Sequence, residues 1–161
     1  MRIVFFGNTE FSNPTLKKCN SSYDVISVVT NHSKQMGRGR KFLETPVKSL
    51  ADKLKLNVIE IDNLNDENFI NQLKSLSPDL FVVVAYKVLP QTLLDIPRLG
   101  SINLHSSLLP KYRGAAPIQH SIMNGDEVTG VSTFIIEPKV DTGNILLQKE
   151  CKINEDDNYG T

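Results

Sequence analysis

The 161 residues carry 18 lysines and arginines against 18 aspartates and glutamates, a formal net charge of zero. That length suits one domain with a sizeable core, and neutrality leaves only local clusters to speak for or against a nucleic-acid partner. No apolar run approaches the roughly 20 residues of a membrane span and no signal-peptide pattern opens the chain, so a cytoplasmic protein is expected. Cys19 and Cys151 lack metal-ligand spacing and are expected to be free thiols.

The predicted elements alternate strand and helix. Ile3 to Phe6 is a short apolar run ended by Gly7, a first strand and its turn. Pro14 suits the first turn of a helix capped by Ser12 or Asn13. The Gly7 turn superficially fits a dinucleotide-binding loop, but Thr9 and Ser12 stand where the second and third glycines of G-x-G-x-x-G belong. Val25 to Thr30 is a second buried strand, rich in β-branched residues. Residues 31–44 read as a polar loop. Thr45-Pro46 then opens a helix, cap followed by proline, with Val47, Leu50, Ala51 and Leu54 on one face.

Val58 to Ile61 reads as a third strand, and Asn65-Asp66-Glu67 opens a helix with the stripe Phe69, Ile70, Leu73 and Leu76. Leu80 to Ala85 is continuously apolar, which suits a central parallel strand covered on both faces. A short helix near Thr92 to Ile96 leads to a strand from Leu99 to Leu104. Pro117 to Met123 reads as a helix stopped at Asn124-Gly125, followed by strands at Val131 to Ile136 and Ile145 to Gln148. This alternation predicts an α/β fold, a doubly wound, mostly parallel sheet with helices on both faces.

The most informative stretch runs from Asn103 to Ile118, NLHSSLLPKYRGAAPI. Side chains alternate along a strand, so Asn103 and His105 share one face while Ile102 and Leu104 share the other. An amide and an imidazole side by side at the carboxyl end of a strand suit acyl chemistry, and in an open α/β sheet that end binds ligands. A lone pair of this kind is nevertheless an ordinary turn or surface feature in most proteins. Asp141-Thr142-Gly143 is likewise an ordinary turn in most contexts. It also spells the aspartic-protease motif, which needs two facing copies and so does not suit a single-copy α/β chain. His32 and His120 have no comparable surroundings and read as structural or solvent-facing.

NLHSSLLPKYRGAAPI with the downstream DTG, together with RIVFFGNTEFS at 2–12, GRGRKFLETPVK at 37–48, VVVAY at 82–86 and TGVSTF at 129–134, resembles the formyltransferases that use formyl-tetrahydrofolate. Within that family the resemblance is nearest to members acting on methionyl-tRNA, and it covers nearly the whole chain in one order. The resemblance implies a Rossmann-like formyltransferase fold and transfer of the formyl group of 10-formyltetrahydrofolate to the α-amino group of initiator methionyl-tRNA. It implies no metal, no membrane partner, and a monomer when full length. It also implies a catalytic domain incomplete at its C-terminus, because family members continue from a similar Gly-Thr into a helix and a β-barrel domain.

By the same resemblance Asn103 donates to the formyl oxygen, His105 stabilises the oxyanion and helps move protons, and Asp141 orients the imidazole and relays protons through water. Ser107, Leu108, Leu109 and Pro110 match the family's folate-binding stretch, although Leu108 and Leu109 also read as core. Arg38, Arg40 and Lys41 fall in the segment that matches the insertion gripping the tRNA acceptor arm, with Arg38 at its key position. Ser106 and Lys87 depart from the usual pattern, each standing where Gly is common. Rival readings are a sugar-amine or other small-amine formyltransferase of the same fold, and a non-catalytic fragment that binds folate or RNA.

Overall fold

A computed structural model describes the backbone of residues 1–36 and 41–161, and the side chains of 1–33 and 43–161. Arg38 and Arg40 lie outside the described residues, as does the side chain of Lys41. The chain divides into two compact units, Met1–Ser101 and Ile102–Thr161.

The first unit begins with β1 (Arg2–Gly7), a single 3₁₀ turn at Glu10–Ser12, α1 (Asn13–Ser22) and β2 (Asp24–Thr30). Strand β1 is buried from Ile3 onward, as a parallel strand without a solvent face requires. Two short strands follow, β3 (Lys34–Met36) and β4 (Lys41–Leu43), paired antiparallel. The polar loop expected over 31–44 therefore carries strands at both ends. Their six residues, KQM and KFL, are too few and too polar to show a period of two.

Next come α2 (Pro46–Lys53), β5 (Val58–Glu60), α3 (Glu67–Ser75), β6 (Leu80–Val84) and α4 (Gln91–Leu94). The cap of α2 is the one the sequence indicates, and that of α3 lies within the expected opening Asn65-Asp66-Glu67. Thr45 accepts a hydrogen bond from the Lys48 amide at 3.1 Å, and Asp66 accepts from the Phe69 amide at 2.9 Å. Ser12 does occupy the cap position of α1, but its hydroxyl caps nothing. It donates instead to the Val84 carbonyl at the end of β6, 2.8 Å away. This bond explains Ser12 where a dinucleotide loop would need glycine. Gly7 is required beside it, because a Cβ there would come within 2.9–3.0 Å of Phe5 and Ser12.

The other four strands of this unit pair in parallel in the order β5-β2-β1-β6. The chain moves outward from β1 to β5 and then returns to the other side of β1 with β6. That reversal is a topological switch point, and its crevice opens at Gly7 and Val84, which are paired at the carboxyl ends. Phe5, Phe6, Phe81, Leu16 and Leu73 fill the core of this unit and are fully buried.

The second unit holds β7 (Ser101–His105, which starts at the boundary), α5 (Pro117–Met123), β8 (Val128–Ile135) and β9 (Ile145–Lys152). The sheet is mostly parallel as expected, and this unit holds its antiparallel part. Strand β7 pairs antiparallel with β8, and β8 antiparallel with β9. No helix separates β8 from β9, and a direct connection of that kind allows only antiparallel neighbours. Phe134 of β8 is fully buried, whereas Ile145, Leu146 and Leu147 of β9 are exposed.

Candidate functional site

The antiparallel ladder builds the site. Asn103 stands opposite Phe134 and His105 opposite Ser132, so the two polar residues share a face of β7 as their spacing predicts. His105 is only 8% exposed. Burial at the end of a strand fixes its ring, and two other segments converge on it. Asp141, in the loop between β8 and β9, brings Oδ2 to 3.7 Å from His105 Nδ1. The same oxygen accepts the Gly114 amide at 2.7 Å, which leaves the carboxylate 9% exposed and turned inward. On the other side of the ring, His105 Nε2 donates to the Tyr112 carbonyl at 2.8 Å.

The backbone around the histidine is held in unusual conformations. Tyr112, Ala116 and Asp141 adopt left-handed φ angles of 53°, 57° and 52°, and Gly114 one of 88°. Such angles cost a non-glycine residue about 1–2 kcal/mol each, and persist only where surrounding contacts impose them. Ser106 is not among the left-handed residues, so its backbone places no demand for glycine there. The other departure, Lys87, has its ammonium on the Asp62 carbonyl oxygen at 2.8 Å.

The segment after the histidine is tied down from behind. Ser132 is fully buried, donates to the Ser107 carbonyl at 2.6 Å and accepts from the Leu109 amide at 3.0 Å. Gln148 of β9 bridges Ser132 Oγ and the Leu109 carbonyl at 2.8 and 3.0 Å. The Ser107 hydroxyl donates to the Lys111 carbonyl at 2.6 Å, and the side chains of Ser107 and Leu109 are buried. Leu108 and Pro110 are the members of this stretch that reach outward. Leu108, Lys111, Tyr112 and Asp126 line part of a cleft of about 400 Å³ on this unit.

Several of these residues gave no signal in the sequence. Ser132 and Gln148 lie in ordinary strands, and only the three-dimensional ladder shows their polar atoms turned inward. Tyr112 lies inside the informative stretch, yet nothing in its spacing indicates that its carbonyl meets the imidazole. In the first unit, Thr9 and Tyr86 follow the two strands at the switch point, and their buried hydroxyls have no hydrogen-bond partner among the described residues. Burial, with a smaller contribution from the Asp62 charge, pushes the Tyr86 phenol well above its ordinary value. His32 pairs with Asp62 at 3.3 Å while exposed, and His120 stacks on Tyr112 at 6.3 Å. Cys19 and Cys151 are free, and burial pushes the Cys19 thiol up. Among the described residues no group of three or more His, Cys, Asp or Glu is arranged to hold a metal, and no helix is long and apolar enough to cross a membrane.

The formyl transferase family model matches residues 1–161. The chain belongs to this family. Similar proteins include the methionyl-tRNA formyltransferase of Thermodesulfovibrio yellowstonii, 49% identical over 99% of this chain and 52% of the relative. That of Halothermothrix orenii is 48% identical over 100% and 52%. The chain thus spans about half the length of the curated relatives it matches. Among solved structures, phosphoribosylglycinamide formyltransferase from Anaplasma phagocytophilum aligns with a TM-score of 0.81, covering 98% of this chain and 75% of that one at 20% identity. A formyltetrahydrofolate deformylase from Pseudomonas syringae aligns at 0.75, with 98% and 53% covered and 21% identity. The chain therefore shares the formyltransferase fold.

Proposed function

We propose that the chain carries the catalytic machinery of an enzyme that moves the formyl group of 10-formyltetrahydrofolate onto the α-amino group of initiator methionyl-tRNA. One observation carries the reading: a buried imidazole at the end of β7, beside Asn103 on the same face, with an inward-turned carboxylate 3.7 Å from its Nδ1. The relatives named for this activity support the choice of acceptor, as does the GRGRK sequence at 37–41.

The chemistry needs those groups. The amine nitrogen attacks the formyl carbon, the carbonyl oxygen becomes an oxyanion, and the amine is left with a surplus proton. Collapse breaks the bond between the formyl carbon and N10 of the folate, and N10 takes up a proton. Asn103 donates to the oxyanion, a contact worth most in a site that excludes water. His105 takes up the amine's proton, favours the negative charge as an imidazolium, and with Asp141 passes that proton toward N10. The folate is itself the acyl carrier, so no covalent intermediate with the protein forms. Leu108 and Pro110 present the outward surface of the folate stretch, while Ser107 and Leu109 hold its shape from within. Arg38, Arg40 and Lys41 supply the positive charge for the acceptor end of the RNA.

The test is an assay of 10-formyltetrahydrofolate with charged initiator tRNA, using the full-length chain. Asn103→Ala and His105→Ala each lower turnover on the order of a hundredfold or more, the scale of a lost oxyanion donor. Folate affinity changes far less. Near-parental turnover in both variants would overturn the assignment, and formylation of an amino-sugar nucleotide in place of charged tRNA would move it to the sugar-amine class.

A further inference from the structure

The His105 Nε2–Tyr112 contact decides which nitrogen of the ring holds the proton. A carbonyl oxygen only accepts, so at 2.8 Å the Nε2 atom must carry hydrogen. In the neutral ring Nδ1 then bears the lone pair, and Nδ1 is the atom that faces Asp141. The tautomer is thus set by the position of one main-chain oxygen on a residue with a left-handed backbone, which does not hold that shape without help.

The help comes through the Tyr112 side chain. Its hydroxyl donates to Asp126 Oδ2 at 2.8 Å and accepts from Asn124 Nδ2 at 3.0 Å. Asn124 is the C-terminal cap of α5, its amide on the His120 carbonyl, and the Asp126 amide is bonded to Ser121 of the same helix. The Tyr112 ring also lies flat against His120, with 10° between the planes. The end of α5 therefore grips the tyrosine at its hydroxyl, while its carbonyl at the other end grips the imidazole.

We propose that Asp126 and Asn124 are positioning residues that act through Tyr112 to hold His105 as the Nε2–H tautomer, leaving Nδ1 as the basic nitrogen beside Asp141. The consequence for turnover rests on the formyl-transfer reading above. The tautomer itself does not.

Two readouts separate these points. In the chain labelled with ¹⁵N-histidine, once raising the pH has brought the ring to its neutral plateau, the parental His105 shows a protonated Nε2 and an unprotonated Nδ1. Tyr112→Phe and Asp126→Ala remove the hydroxyl bond and shift the ring toward a mixture of tautomers. Turnover falls by up to about a hundredfold, the scale of a small misplacement of a reacting group, with KM for the folate little changed. Asp126→Asn keeps an oxygen that accepts the tyrosine proton, and it restores both the tautomer and turnover. A purely structural role would lower the melting temperature of Tyr112→Phe and Asp126→Ala without moving the nitrogen signals. Parental tautomer in both variants overturns the proposal. A shifted tautomer in a chain whose parent transfers no formyl group supports the positioning and sinks only the formyl-transfer reading.

Discussion

A Cβ at Gly143 would collide with the carbonyl oxygen of Ile135, on the neighbouring segment of the β8–β9 connection. The glycine of Asp141-Thr142-Gly143 is therefore needed for backbone proximity. Where the chain turns back, the Ile135 amide donates to the Asn144 carbonyl at 3.0 Å and leaves no room for a side chain between them. This close approach holds Asp141, two residues earlier, against His105. Gly143→Ala should cost about 1–3 kcal/mol, the usual penalty of overpacking where backbone must move. It should also lower turnover beyond what the loss of stability explains, because the carboxylate moves with the loop. Denaturation by urea and formyl-transfer assays on the same variant measure the two effects; parental stability would show that the loop yields freely. The DTG motif could be read from sequence as a turn. Its steric reason could not, because it depends on how closely β8 and the start of β9 approach at the turn, which sequence alone does not set.

Among the elements, those with a chemical start signal were legible and those without were not. Thr45-Pro46 marked a helix start to the residue and Asn65-Asp66-Glu67 marked another within its three residues, since a side-chain oxygen must meet a free amide there. Strands β3 and β4 escaped notice because short polar strands carry too little pattern, and the alternation that indicated a mostly parallel sheet did not say which of its strands run antiparallel. Direction depends on connections, and a β8–β9 link without a helix was the available sign. Glu60 at the end of β5 shows how elements are joined. It accepts from the Ser33 amide and hydroxyl, both at 3.1 Å, and pairs with Lys48 of α2 at 3.3 Å. Partial burial alone would raise its pKa; the Ser33 and Lys48 bonds outweigh that and hold the carboxyl below its ordinary value. A carboxylate depressed on folding stabilises the protein above its unfolded value, and that contribution is lost as pH falls through the folded value. Melting temperature should therefore fall below about pH 4, the ordinary carboxylate range. Glu60→Gln should melt lower at neutral pH and show a shallower acid dependence. An acid limb as steep as the parent's would assign the loss to other carboxylates, of which Asp79, depressed chiefly by the Arg2 amide, is the next in line.

At the scale of the whole molecule, zero net charge bears on how the proposed RNA partner is held. A neutral protein has no general attraction for polyphosphate, so any salt-dependent affinity must come from a few local cations. Lys34, Arg38, Arg40 and Lys41 supply such a group, with no acidic residue between Asp24 and Glu44 to offset them. Each lysine or arginine that neutralises a phosphate releases counterion and adds roughly 0.7–0.9 to the slope of log affinity against log salt. Removing two such contacts in Arg38→Ala/Arg40→Ala should therefore reduce the slope by about 1.5. Binding at low salt should weaken most, and the parent and variant curves should converge as salt rises and screening removes what the arginines contribute. Folate affinity should stay at the parental level, since the segment matched to folate, Ser107–Pro110, lies elsewhere in the chain. Titration of charged initiator tRNA at a series of salt concentrations measures this directly. An unchanged slope in the double variant would mean that the RNA is held by other residues, and Arg38 would lose its assigned role even if formyl transfer itself were established.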